Sequence, residues 1–249
     1  MHIVVCISHV PDTTTKIRFN KELTQLDSQG VKWVINPWDD LTLTRAIDMK
    51  EASGGKITKI SVIHVGDATT EPTLRKALAM GADEAIRVDA VSSDSYSTAS
   101  HLAAALKELE YDLVLCGIES SDYNSSAVGG MLAEILDLYS VSSVSAIELK
   151  DEGFVVKREQ ETGKETLRIS TPFVAIGQKG IAIDPRIPSM RGVMSARTKP
   201  LKVVQGESGE SYIHTMVYEY PEPKGSCRFF QPDETDQLAD ALRREAKVI

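Results

Sequence analysis

The feature that most constrains the fold is an alternation of short apolar runs with stretches of helical periodicity. Ile3-Val4-Val5-Cys6-Ile7, Ile57 to Val65, Ala85 to Val88 and Leu113 to Cys116 are rich in β-branched and apolar residues and read as buried strands. Between them, apolar residues recur at three- and four-residue spacing: Leu43, Ala46 and Ile47, then Leu74, Ala77 and Leu78, then Leu102, Ala105, Leu106 and Leu109. Strands of this kind alternating with helices predict a doubly wound, mostly parallel α/β sheet covered on both faces. Such sheets bind ligands beyond the strand C-termini, where strand order reverses. The loops after Ile7, Val65 and Cys116 are therefore the candidates, and the first lacks the G-x-G-x-x-G dinucleotide fingerprint.

The stretch Asp112 to Leu136 carries the sharpest local signal. Its strand ends at Gly117, a polar loop follows, and Val128, Met131, Leu132, Ile135 and Leu136 then form one helix face. Backbone N–H groups at such a helix start can hold a phosphate. Ser125 and Ser126 read as caps, Gly129-Gly130 leaves room for a ligand or a neighbouring backbone, and no acid stands in the first helical turn before Glu134 to repel an anion. An ordinary strand–helix turn with a serine cap fits the same residues. A second helix start is written in Asn36-Pro37, with Asn as cap, Pro at the first position and Asp39 in the first turn.

After Tyr139 the pattern changes. Val144 to Leu149 alternates, and Phe154 to Gln160 and Glu165 to Ser170 flank Thr162-Gly163 as a hairpin whose Arg158, Glu159 and Glu165 read as a charge ladder. Phe173 to Ile176 is one more strand, and Lys179 to Lys199 shows little regular pattern. Lys16 to Trp33 reads as a hairpin or an irregular connection around Asp27 to Gly30. The expected division is an α/β domain over 1–205 and a polar arm over 206–249, with an apolar patch at Tyr212 to Tyr218 and a final helix near Asp236 to Ala246.

The net charge of −8 argues against nucleic acid and anionic membrane surfaces as partners. No apolar run approaches the ~20 residues of a membrane span, and Met1-His2-Ile3 enters a strand at once with no leader pattern. Three scattered cysteines, with Cys6 and Cys116 in buried strands, suit core thiols and a reducing cytoplasm rather than disulfides or zinc.

Several segments together resemble a known family. Val10-Pro11-Asp12-Thr13, Asn36-Pro37-Trp38-Asp39, Ala77-Leu78-Ala79-Met80-Gly81-Ala82-Asp83, the 117–133 loop and Pro185-Arg186 are similar, in order and spacing, to the β subunit of electron-transfer flavoproteins. The similarity covers about residues 2 to 204. It implies an adenine-nucleotide α-hydrolase-like, Rossmann-like fold. It also implies a heterodimer with an α subunit that holds most of the FAD, and electron transfer from acyl-CoA or other flavin dehydrogenases to a quinone reductase or other acceptor.

The resemblance further implies a structural AMP in the β subunit. The matching positions are Cys6, Asn36, Pro37, Trp38, Asp39, Val65 and the run Asp122, Tyr123, Asn124, Ser125, Ser126, Ala127, Val128, Gly129, Gly130, Met131, Leu132, Ala133 and Glu134. The Asp39-Asp40 pair would repel phosphate, which puts adenine or ribose near Asn36-Pro37-Trp38 and phosphate near Ser125-Ser126. Trp38 either stacks on adenine or packs beneath the sheet edge, and His9 contacts flavin or the α subunit or, as the commoner outcome, is simply exposed. The electron-bifurcating branch, which binds a second FAD here, has a loop like Asp-Gly-Asp-Thr-Ala-Gln-Val-Gly-Pro. Asp122, Val128 and Gly129 match it, whereas Tyr123 stands in place of glycine, so the loop favours AMP. Pro185, Arg186, Met190 and Arg191 match the family's partner-docking loop, with Met190 as an apolar peg and the arginines as its rim; a solvated basic loop is the plain alternative. An adenine-nucleotide sensor or hydrolase on a related fold is the rival function, and the chain lacks the Walker-type phosphate loop such a protein would use.

Overall fold

The apolar runs pair side by side in the computed structural model, which describes residues 1–151, 153–207 and 210–249. The first half comprises β1 (His2–Cys6), β2 (His9–Pro11), β3 (Trp33–Ile35), α1 (Pro37–Ala52) and β4 (Lys59–Val65). A 3-10 turn at Ala68–Thr70 then runs into α2 (Glu71–Met80), β5 (Glu84–Asp89), α3 (Ser95–Lys107), β6 (Leu113–Gly117) and α4 (Val128–Ile135). The second half comprises β7 (Tyr139–Lys150), β8 (Gly153–Gln160), β9 (Gly163–Ile169), β10 (Phe173–Gly177), α5 (Met190–Ala196), β11 (Leu201–Gln205) and α6 (Thr235–Ala241), which ends in a π-helical turn.

The main sheet has the order β11-β5-β4-β1-β6-β10-β7-β8-β9. It is parallel from β11 to β7, and β8 and β9 extend it as the expected antiparallel hairpin. Alternate residues of each central strand enter different cores. Ile3, Val5, Val62, Leu113 and Leu115 pack with Leu43, Ile47, Leu74 and Leu78 of α1 and α2. Val4, Cys6, Ile63, Val114 and Cys116 pack with Leu102, Leu106, Leu132 and Ala133 of α3 and α4. Burial on both faces is the physical reason these strands are written without a polar side. The chain winds outward from β1 through β4 to β5, then returns across β1 to β6. The reversal therefore falls over the C-terminal ends of β1 and β6, where the crevice of a doubly wound sheet lies.

Three sequence expectations need correction, and one strand has no expectation attached to it. Residues 9–35 form one long hairpin, with His9 opposite Ile35 and Phe19 opposite Leu26. Its turn lies at 20–25 and not at the expected 27–30, because the Asn20 side-chain oxygen accepts the N–H groups of Thr24 and Gln25. His9 is not exposed: it stacks on Trp33 at 4.5 Å and meets Thr73 Oγ1 at 2.7 Å. The patternless 179–199 segment contains α5, capped by Ser189 Oγ, which accepts the Gly192 N–H at 3.1 Å. Leu201–Gln205 is a parallel edge strand paired with β5 from Leu201–Ala85 to Gln205–Asp89.

Candidate nucleotide cleft and docking face

Three chain segments converge where β1 and β6 end, and buried polar side chains lock them together. Asp39, in the first turn of α1, accepts the Ser8 N–H through Oδ2 at 2.8 Å and the Gly117 N–H through Oδ1 at 3.0 Å. Burial pushes its carboxyl up to about 7, against the pull of those donors and of the Asn36 side chain. Gly117 is glycine because a Cβ there would strike Asp39 Oδ1 and lie 2.7 Å from Trp38 Cβ. Asn36 does not cap α1, contrary to expectation. Its amide donates to Glu119 O at 2.8 Å and its oxygen accepts the Ser121 N–H at 3.1 Å, so it pins the loop after β6. Asp39 is likewise turned into the fold as a strand-end clamp. Asp40 pairs with Lys76 at 3.5 Å, so neither acid is an unengaged charge at the helix start.

The loop after β6 then delivers α4 without a cap. Ala127 stands at the cap position and offers no side-chain cap hydrogen bond. Both serine caps are therefore corrected: Ser126 Oγ donates to Glu119 Oε2 at 2.9 Å, and Ser125 Oγ accepts from Ser95 Oγ at 2.9 Å. Asn124 and Ser126 take positive φ angles in this loop, and both serine hydroxyls are engaged by partners outside the helix start. The first-turn N–H groups of α4 lack intrahelical acceptors, and no acid lies in that turn.

The two glycines have different jobs. A Cβ on Gly129 would come within 2.8 Å of Ile176 Cγ1, so this residue lets α4 press on the sheet. A Cβ on Gly130 meets nothing within 4 Å, so Gly130 is the residue that leaves open space. Met131, expected on the inner face, is exposed, whereas Leu132 and Ala133 are buried and hold α4 down.

Asp122, Tyr123 and Glu134 are exposed, Val128 and Trp38 are half-buried, and Pro37 is exposed beside Trp38. Cys6 and Val65 are buried at the ends of β1 and β4. A neighbouring thiol, Cys116, and burial hold the Cys6 thiol well above its ordinary range, so it is a floor residue and no nucleophile. Sequence reasoning missed Ser8 and Glu119, which act through a backbone N–H and through a carbonyl and a carboxylate. His64 was missed too; its Nδ1 meets Ile7 O at 2.7 Å, and burial lowers it to about 4, which keeps it neutral.

The second predicted site lies on another face. The Arg186 N–H donates to Thr44 Oγ1 at 2.9 Å, and its guanidinium grips Asp48 at 2.6 Å and Glu51 at 2.5 Å on α1. Arg186 is thus a fastening and not a rim charge for a partner. Gly192 sits inside α5, where a Cβ would strike Ala79 O, so it permits close contact with the end of α2. Arg75 donates to Ala196 O and Lys199 O, while Lys199 Nζ donates to Leu78 O and Ala82 O. The 183–200 segment is therefore clipped to α1 and α2. It presents Ile183, Ile187, Met190 and Met194 to solvent, with Pro185 and Arg191 beside them; Met190 is not the lone apolar group expected. A groove of about 730 Å³ runs between this segment and the ends of α1 and α2.

The family model for the electron transfer flavoprotein domain matches residues 24–208. The chain belongs to the electron transfer flavoprotein family. The β subunit of such a flavoprotein from Bacillus subtilis is 32% identical over 263 residues, spanning 100% of both chains. The β subunit from Thermoanaerobacterium thermosaccharolyticum is 37% identical over 202 residues, covering 80% of this chain and 76% of its own. The acryloyl-CoA reductase electron transfer subunit gamma of Anaerotignum propionicum is 30% identical over 214 residues, covering 84% of this chain and 79% of its own. Within this flavoprotein family the likeness is to β subunits, which act in electron transfer with partner subunits. Among the described residues of this flavoprotein chain, no helix is long and apolar enough to cross a membrane.

Proposed function

We propose that this chain is the β subunit of a heterodimeric electron-transfer flavoprotein acting in the cytoplasm. It serves as a carrier between acyl-CoA or other flavin dehydrogenases and a quinone reductase or other acceptor, with no substrate chemistry of its own. The family match supports the electron-transfer role. The observation that carries the nucleotide reading is the uncapped start of α4 beside Gly130, a cradle for one phosphate with no acid in its first turn. AMP fits that cradle, with its base or ribose toward Asn36-Pro37-Trp38 and its phosphate toward 125–130. Cys6 and Val65 form the floor, and Asp122 to Glu134 form the loop and helix around it. The FAD belongs mainly to the α subunit; when bound, its isoalloxazine supplies the one- and two-electron chemistry. This chain's own residues hold the α1 start, the loop after β6 and the docking face at 185–191 in place. Residues 1–205 serve as the nucleotide-binding domain and 206–249 as the arm toward the partner subunit.

Extraction of nucleotide and flavin from the purified heterodimer, with identification by mass, tests this reading. One FAD and one AMP per heterodimer are expected. Two FAD and no AMP would replace it with a bifurcating subunit carrying its own flavin. A monomer that binds stoichiometric FAD unaided would overturn the pairing with an α subunit.

A further inference from the structure

The arm beyond Gln205 is not loose along its first part. The N–H groups of Tyr212 and Ile213 donate to Asp94 Oδ2 at 2.7 and 3.0 Å, while Asp94 Oδ1 accepts the Ser97 N–H at 2.7 Å and caps α3. The Tyr96 and Tyr212 rings meet edge to face at 4.9 Å. Farther on, the Tyr218 N–H donates to Leu23 O at 2.7 Å, and the Tyr218 ring stacks on Phe19 at 4.6 Å and 10°. Tyr220 joins them: its hydroxyl accepts the Phe19 N–H at 3.1 Å, and its ring lies 5.2 Å from that of Phe19.

These two anchor points belong to different loops at the C-terminal end of the parallel strands. Asp94 opens α3, after β5, and Phe19 and Leu23 lie in the long hairpin after β1. Four residues separate Ile213 from Tyr218, so the two anchors are joined by a stretch that reaches at most about 17 Å. Its side chains Met216 and Val217 are exposed, and the span is held mainly at its ends. At its second anchor it meets the nucleotide loop: Tyr218 Oη lies 3.4 Å from Tyr123 Oη. The α3 start touches the same loop through Ser95 and Ser125.

We propose that residues 212–220 form a strap over the mouth of the nucleotide cleft. Tyr218 and Phe19 are its positioning residues, coupling the seating of the arm to retention of a nucleoside monophosphate. The proposal rests on the nucleotide reading above. With the strap seated, Tyr218 holds Tyr123 from outside the loop, beside the hold of Ser95 on Ser125, so the loop keeps its shape around the helix start. With it released, the loop loses the Tyr218 contact, and bound nucleotide escapes more readily. Linkage requires the converse: bound nucleotide must hold the strap down.

The test uses the full chain in its purified heterodimer, with AMP as the probe. Exchange of bound labelled AMP against excess unlabelled AMP is followed in wild type, Tyr218→Ala, Tyr218→Phe and Phe19→Ala. Loss of one aromatic stack should speed release roughly 3- to 10-fold in Tyr218→Ala and Phe19→Ala. Tyr218→Phe, which keeps the stack, should change release less. In wild type, AMP should slow proteolytic cleavage within 210–222, and in Tyr218→Ala it should not. A merely structural role for Tyr218 would not make this protection depend on AMP. Unchanged release in both alanine variants, or protection that persists in Tyr218→Ala, would overturn the strap while leaving the nucleotide reading intact. A wild-type heterodimer that neither contains nor binds AMP would overturn both.

Discussion

Asp39 Oδ1 accepts the Gly117 N–H at 3.0 Å, bonding the first turn of α1 to the end of a strand 78 residues along the chain. Through Oδ2 the same carboxylate holds Ser8, just past β1. One buried side chain thus clamps both strand ends at the point where strand order reverses. The glycine at 117 is the other half of that contact, since any side chain there would displace the carboxylate.

This clamp should titrate. Asp39 is raised from 3.8 to about 7, so between those values the folded chain holds a proton that the unfolded chain has released. The stability linked to it is fully present below about pH 4 and is lost as pH rises through 7. Asp39→Asn cannot ionise, and its single amide oxygen serves two N–H donors. At pH 5 the variant should be the less stable by about 1–3 kcal/mol. From pH 5 to pH 8 wild type should lose ground against it. Urea unfolding of both proteins across that range is the measurement, and parallel profiles would show that Asp39 does not titrate there.

Gly129 and Gly130 should respond differently to the same insertion. Gly129→Leu drives a side chain into Ile176 and Cys116, so it should cost about 1–3 kcal/mol or more of fold stability. Gly130→Leu points into open space and should leave the melting temperature of the nucleotide-depleted protein near wild type. It should nonetheless lower nucleotide content in the purified complex. Full nucleotide occupancy in Gly130→Leu would move the phosphate away from the start of α4.

What was legible in the sequence, and what was not, follows one physical line. Two-sided burial leaves a mark on every residue of a strand, so β1, β4, β5 and β6 could be read directly. The helices facing them could be read for the same reason. Asn36 carried a capping pattern, but tertiary structure spends its amide on the loop after β6, and sequence spacing cannot distinguish those uses. Gly129-Gly130 marked a close approach without telling which glycine faces the sheet. α5 is two turns long with three of its seven residues apolar and exposed, too short for a period to emerge. β11 pairs on one edge only, and its Lys202 and exposed Val203 blur the alternation.

Asn36 offers a test of whether the loop after β6 is preorganised. Asn36→Ala leaves Glu119 O and the Ser121 N–H without their partner inside a region where Asn36 itself is fully buried. A cost of about 1–3 kcal/mol is expected. The loop itself should loosen, so hydrogen exchange should rise at Ser121 and along 119–127 before it rises in the central strands. Nucleotide affinity should fall in parallel. Unchanged exchange in the loop would show that Asn36 acts on global stability alone.

The docking face can be dissected because its fastening and its exposed surface are different residues. Arg186 bridges to Asp48 and Glu51, whereas Met190, 82% exposed, touches solvent. If Met190 enters a pocket on an electron-donating dehydrogenase, Met190→Ala should cost about 1–3 kcal/mol of docking. At about 1.4 kcal/mol per tenfold, that is roughly 5- to 150-fold in affinity. Fold, subunit pairing and nucleotide content should stay as they are. Ile187→Ala should act in the same direction, because Ile187 is exposed beside the same groove. Arg186→Ala should weaken docking by a different route: the segment would lose its grip on α1, and exchange at 183–190 should rise even without a partner. Arg191, exposed and outside that network, should act mainly on association rate and its salt dependence. Titration of each variant in steady-state electron transfer separates these effects. A half-saturating concentration unchanged in both Met190→Ala and Ile187→Ala would remove this apolar face from the dehydrogenase interface and leave 183–196 as a solvated loop fastened to the fold.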